Sequence, residues 1–124
     1  MANQNVKGFK RILNACVFSF YGFKATWQHE EAFRQEVLLF LLTTPLALWL
    51  GQGVIEKLLL IGSMILVLLV ELLNSAVEAV VDRVGLEHHE LSGRAKDIGS
   101  AAVMLSLVWA AITWTSILFF RGIQ

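Results

Sequence analysis

The sequence predicts an all-α integral membrane protein: an N-terminal amphipathic surface helix followed by three transmembrane helices. Three observations predict this class. Apolar residues make up 56% of the chain and charged residues 16%, with a mean hydropathy of +0.65, whereas an ordinary soluble domain carries roughly 25% charged residues. The chain has 124 residues, and a soluble globule of that size leaves too much surface exposed to hide so much apolar matter. Finally, the charges are gathered so that long windows contain none. The length corresponds to one domain over residues 1–124, since a domain takes roughly 100–200 residues.

Residues 6–27 form the expected surface helix. Phe9, Ile12, Leu13, Cys16, Val17, Phe20, Phe23 and Trp27 recur close to steps of three and four, with Lys7, Lys10, Arg11 and Lys24 largely between them. That is the pattern of a helix lying in the headgroup layer, either as a simple anchor or as a lid. The first transmembrane helix is expected at about 31–50: Val37 to Ile55 is free of charge for 19 residues, and about 20 residues cross a bilayer core. Pro45 is tolerable there if neighbours satisfy the freed carbonyl. Gly51-Gln52-Gly53 reads as a tight turn. The second transmembrane helix, 54–84, contains a charge-free Leu58 to Val70 that continues into Glu71-Leu-Leu-Asn74-Ser75-Ala-Val-Glu78, so it spans only if Glu71 lies in or near the membrane. Residues 85–93 form a polar loop, and a third helix over 94–120 contains the 23 charge-free residues Ile98 to Phe120.

Eight of the ten cations fall before the first span or around the second loop, and only Lys57 and Arg121 fall on the other side. This bias places the N-terminus and the 85–93 loop in the cytoplasm. No secretory signal peptide is expected, because the first apolar span follows a long amphipathic segment without a cleavage pattern. Ten Lys+Arg balance ten Asp+Glu, so no nucleic-acid partner is expected. Cys16 is the single cysteine, which excludes an intramolecular disulfide and a Cys-based zinc site.

Glu71, Asn74, Glu78 and Asp82 fall within roughly 80° of one another at 100° per residue, so three carboxylates and an amide share one stripe. A carboxylate near hydrocarbon costs about 2.5 kcal/mol or more and ordinarily faces a partner or cavity. One reading is a polar seam joining helices. The other is a hard-cation site suited to Mg²⁺, since three acids repel one another without a cation. Glu30, in the Gln28-His29-Glu30-Glu31 cluster before the first span, either completes that site at the depth of Glu78 or belongs to a solvated helix start. The run Glu87-His88-His89-Glu90-Leu91-Ser92-Gly93-Arg94-Ala95-Lys96-Asp97 supplies cations, a hydroxyl and a helix expected to begin after Gly93, where backbone N–H groups favour anions. Neither a P-loop nor the protein-kinase signatures are present.

The string Glu71-Leu-Leu-Asn74-Ser75-Ala-Val-Glu78-Ala-Val-Val-Asp82-Arg83, with His89-Glu90-Leu91-Ser92-Gly93-Arg94-Ala95-Lys96-Asp97 and Gly99-Ser100-Ala101-Ala102, closely resembles the prokaryotic diacylglycerol kinase family. These are small three-span membrane lipid kinases, and Glu30-Glu31-Ala32-Phe33-Arg34-Gln35-Glu36 resembles the family's matching segment. The resemblance implies a homotrimer of the bacterial inner membrane with cytoplasmic sites between subunits, which phosphorylates diacylglycerol to phosphatidic acid with ATP and Mg²⁺. It implies Glu71 as general base with Asn74 orienting the cluster, and Glu30 and Glu78 as metal ligands. Arg11, Phe18, Glu87, His88, His89, Lys96 and Asp97 are implied at the nucleotide together with those two acids. Arg11, Ser19, Lys24, Trp27, Arg34, Gln35, Glu36, Glu71, Ser100 and Trp114 are implied on the lipid side. Enteric members carry Tyr where His88 stands, so altered nucleotide affinity is expected, and a small residue where Glu31 stands, a difference with no explanation in the sequence. Glu71 to Asp82 spans about 16 Å of helix, the depth needed to join a lipid hydroxyl to a nucleotide arriving from water. The alternatives are a polyprenol (undecaprenol) kinase, a small proton-coupled exporter using one membrane carboxylate, and a purely structural subunit.

Overall fold

The computed structural model describes residues 6–121, and among these the only regular structure is helical. Four helices follow in order: α1 Phe9–His29, α2 Glu31–Leu50, α3 Gly53–Val84 and α4 Glu90–Phe120. The last three are long and apolar enough to cross a membrane. Leu38, Leu41, Leu42, Leu58, Leu69, Met104 and Leu105 all face outward on them, which is the arrangement expected when the solvent is lipid rather than water.

α1 begins at Gly8, whose φ of 69° lies in the left-handed region that glycine adopts without strain. Among the described residues it buries none of its own side chains, so its apolar face is free for a headgroup layer. One residue separates it from α2. Glu30 is extended (φ −120°, ψ 109°), its N–H still donating to the Thr26 carbonyl of α1 while its own carbonyl accepts the first α2 bond from Arg34 N–H. The Arg34 guanidinium then donates to the Trp27 carbonyl at 2.7 Å and the Gln28 carbonyl at 3.4 Å, meeting the carbonyls that a helix end leaves free. The chain thus turns from the surface into the membrane at a single carboxylate-bearing residue.

Pro45 stays inside α2 without ending it. In the turn before it, the Thr43 and Thr44 hydroxyls donate to the Leu39 and Phe40 carbonyls at 2.8 and 2.7 Å, so the turn that loses a bond to proline is stitched by side chains. The α2–α3 turn needs both glycines. Gly53 sits at φ 82°, and a Cβ on Gly51 would meet the Ala47 carbonyl oxygen and Lys57 Cγ at 2.7 Å each.

α3 and α4 make the main helix pair. Leu60, Met64, Val67 and Ala110 are buried with Ser63, Ser106 and Thr113, and Phe40 and Trp114 close over them. Small side chains at the contact let the backbones approach, the usual basis of packing in lipid. Trp114 Nε1 donates to the Leu60 carbonyl at 3.2 Å. At the end of the bundle opposite Glu30, Arg121 donates to the Ile117 and Leu50 carbonyls at 2.9 and 3.1 Å and pairs with Glu56 at 3.5 Å. Glu56 in turn accepts from the Gln52 backbone N–H at 2.9 Å, so one cation fastens the end of α4 to the α2–α3 turn.

The expected bounds of α1 and α4 are corrected. α4 begins at Glu90, not after Gly93, because the His89 side chain caps it by accepting from the Leu91 N–H at 3.1 Å. Gly93 N–H already donates to the His89 carbonyl at 2.9 Å, so Gly93 lies inside the helix and offers no free donor to an anion. α1 runs on to His29 rather than ending at Trp27.

Replacing Arg121 by Ala should lower resistance to SDS unfolding by roughly 1.5–3 kcal/mol, the range for a hydrogen bond to a charged group. A titration of helicity against SDS fraction measures it, and an unchanged midpoint would show that the clasp contributes nothing.

Candidate functional site

At 1.5 Å per residue, the 32 residues of α3 reach about 48 Å, against a hydrocarbon core of about 30 Å. The excess is enough for one end of α3 to stand clear of the hydrocarbon, and its final turns carry the polar stripe. Glu71 begins it and is 3% exposed. Glu36 of α2 lies near enough for its charge to interact with that of Glu71, and its Oε2 is buried without a hydrogen-bond partner among the described residues.

One turn further out, Asn74 Nδ2 donates to Glu78 Oε1 at 3.3 Å. The Asn74 amide is wedged against α4 at Gly99, where a Cβ would run into Asn74 Oδ1. Gly99 is therefore a site residue by sterics: any side chain there would drive Asn74 off its contact with Glu78. Sequence reasoning did not single it out as a site residue, because only the packing of α4 against α3 brings it to Asn74.

Glu30, at the α1–α2 break, meets Glu78 from the other side. The two carboxyl groups are close enough to share a proton, and burial first, then the Glu78 charge, raises the proton affinity of Glu30 above the ordinary carboxylate value, with His29 opposing. Both acids line a cavity of about 650 Å³ between α1 and α3, together with Ser19, His29, Ser75 and Asp82. Asp82, the outermost acid of the stripe, is held by Lys96 Nζ of α4 at 2.8 Å. No group of three or more His, Cys, Asp or Glu side chains converges as a metal cluster among the described residues. A pair of facing carboxylates is nevertheless a donor set that suits Mg²⁺, which takes one or two protein carboxylates and fills its remaining positions with phosphate oxygens and water.

The expected site residues therefore divide. Glu30, Glu36, Glu71, Asn74 and Glu78 come together, with Ser19 in the cavity wall and Lys96 at its outer end. Arg11, Phe18, Lys24 and Trp27 are exposed along α1, and Gln35, Asp97 and Ser100 are exposed on α2 and α4. Glu87 and His88 are exposed in the loop, while His89 serves as the α4 cap. Arg34 is committed to the end of α1, and Trp114 to Leu60 in the α3–α4 pairing, away from the carboxylates.

The family model for prokaryotic diacylglycerol kinase matches residues 17–118. The chain is 54% identical to a diacylglycerol kinase of Escherichia coli over 119 residues, covering 96% of this chain and 97% of that one. It is 50% identical to a diacylglycerol kinase of Haemophilus influenzae over 113 residues, covering 91% and 96%. With a diacylglycerol kinase of Pseudomonas aeruginosa it shares 51% over 111 residues, covering 90% of each chain.

Two outcomes follow from the carboxylate geometry. In buffer without divalent cations, the unfolded chain deprotonates Glu30 near pH 4.5 while the folded chain holds that proton to higher pH. Stability should therefore fall as the pH rises from that point through the raised Glu30 value, and Glu30→Gln should lessen the dependence; an SDS titration at several pH values reads it. Gly99→Ala should cost roughly 1–3 kcal/mol of stability by overpacking. Combining it with Asn74→Ala should recover most of that loss, since the clashing amide is gone, and strictly additive losses would count against the steric assignment.

Proposed function

The chain belongs to the prokaryotic diacylglycerol kinase family, and on that premise we propose that it transfers the γ-phosphoryl group of ATP to the free hydroxyl of diacylglycerol at the cytoplasmic face of a bacterial inner membrane. The observation that carries the reading is the placement of Glu71, a carboxylate only 3% exposed, at the inner end of a stripe whose outer end opens into the cavity beside Glu30 and Glu78. A lipid hydroxyl reaches such a site from the bilayer and a nucleotide reaches it from water.

Phosphoryl transfer asks a protein mainly for positioning and charge neutralisation. Glu71 accepts the proton of the lipid hydroxyl as that oxygen attacks the γ-phosphorus. The bond between the γ-phosphorus and the bridging oxygen of ATP breaks, ADP and phosphatidic acid leave, and the proton passes from Glu71 to water. Glu30 and Glu78 are the residues that would hold Mg²⁺, whose contribution when bound is to neutralise charge on the phosphate oxygens. Asn74 fixes the Glu78 carboxylate through its 3.3 Å hydrogen bond. Lys96, parked on Asp82 at 2.8 Å, is the cation at the cavity mouth for nucleotide phosphates, with Asp97 beside it and Arg11, Phe18, Glu87, His88 and His89 around the approach. The exposed apolar face of α1, with Ser19, Lys24 and Trp27, borders the lipid entrance, and Arg34, Gln35, Glu36 and Ser100 complete that side. A homotrimer with each site shared between subunits would give a use to groups that one chain leaves exposed, among them Arg11, Phe18, Glu87 and His88. The relatives at 50–54% identity bear the name diacylglycerol kinase, which favours that acceptor over a polyprenol and over proton-coupled export.

The test is direct. Purified protein in mixed micelles with diacylglycerol, Mg²⁺ and ATP should produce phosphatidic acid, and Glu71→Gln should lower kcat by roughly 10²–10⁴-fold, the usual loss on removing a general base. Glu78→Gln should chiefly raise the KM for MgATP. An unchanged chain with no Mg²⁺-dependent turnover in several detergents would overturn the kinase reading, whereas full turnover in Glu71→Gln would overturn only the choice of base.

A further inference from the structure

Hydroxyl side chains inside helices ordinarily turn back to a carbonyl of the preceding turn, and six of the twelve serines and threonines in the helices of this chain do. Ser19, Thr26, Thr43 and Thr44 return to the carbonyl four residues earlier, and Ser63 and Ser106 to the one three residues earlier. Ser75 does not. Its Oγ is closed off from bulk water and has no hydrogen-bond partner among the described residues, yet Ser75 lines the cavity that holds Glu30, Glu78 and Asp82. Thr113 shares the lack of a partner, but it is buried in the α3–α4 contact at 7% exposure, away from the cavity.

The position of Ser75 on the stripe gives this hydroxyl a use. At about 100° per residue it stands some 40° from Glu71 on the side facing α1, whereas Asn74 stands some 60° away on the other side, facing α4. Along the axis it lies about 6 Å from Glu71 and about 4.5 Å from Glu78. A phosphoryl group passing from a nucleotide at the level of Glu30 and Glu78 to an acceptor oxygen at the level of Glu71 must cross the level of Ser75. Charge in such a transfer spreads over three equatorial oxygens, and a donor already out of water, with no bond to break, is worth most there.

We propose that Ser75 is a further catalytic residue, its hydroxyl donating a hydrogen bond to an equatorial oxygen of the phosphoryl group in transit. The assignment rests on the kinase reading above and deepens it. Because the bond is made at the level between the two substrates, it acts on the transition state more than on the bound nucleotide. Removing it should therefore lower kcat and leave nucleotide affinity alone.

Ser75→Ala and Ser75→Thr, purified in detergent and matched to the unchanged chain in SDS resistance, separate the possibilities. Ser75→Ala should lose about 10²-fold in kcat, in the range for removing one preorganised donor. Its KM for MgATP, and its Kd for a non-transferable ATP analogue read by titration, should stay within about twofold. Ser75→Thr keeps the hydroxyl and should retain most of the turnover. The proposal is overturned if Ser75→Ala turns over within about twofold of the unchanged chain, if analogue binding falls as far as turnover, or if Ser75→Thr is as slow as Ser75→Ala. Each of those results is read against an unchanged chain that makes phosphatidic acid; failure of the kinase reading would instead appear as an unchanged chain that makes none.

Discussion

A carboxylate withdrawn from water at the edge of a bilayer is the constraint on which this structure turns. Glu71 is 3% exposed, and a charge so placed is expensive unless its surroundings answer it. Glu36, Glu78 and Glu30 are all acidic neighbours, so the chain's own side chains add repulsion rather than relief. Such a cluster is one whose repulsion a cation or a proton would relieve.

The helices are shaped to hold that cluster in place. α3 is longer than a bilayer requires, and its last turns carry Asn74, Glu78 and Asp82 on one face. α4 is nearly as long and packs beside α3 closely enough that a Cβ at position 99 would push against the Asn74 amide. From the other flank, the one-residue break at Glu30 lets α1 leave the direction of α2, so the residue that makes the turn also supplies the second carboxylate. Arg34 secures the break by occupying the last carbonyls of α1. At the far end of the bundle, Arg121 ties α4 to the α2–α3 turn. The two ends have different duties: one is locked by a cation, and the other opens into a cavity lined by acids.

Much of this was legible before any coordinates. Hydropathy placed the three spans and the surface helix, because apolar windows and cation bias report directly on transfer between water and lipid. Helical periodicity put Glu71, Asn74, Glu78 and Asp82 on one stripe. Illegible were the contacts between helices. Nothing local marks Gly99 as the floor beneath Asn74, or Arg34 as the cap of α1, since both depend on a second helix arriving at a given distance. The start of α4 was misplaced for a related reason: Gly93 resembles a boundary, but the His89 side chain caps the helix earlier and glycine is then carried inside it.

The sequence by itself determined the class, the spans and the stripe, because each is set by the period of one helix and by the free energy of moving side chains between water and lipid. Only the tertiary structure decided that Glu30 faces Glu78, that Lys96 is held by Asp82, that Trp114 serves the helix pairing, and that the Ser75 hydroxyl, in the cavity wall, has no hydrogen-bond partner among the described residues. Those are facts about separations between helices, and such separations follow from how small side chains and glycine let two backbones approach.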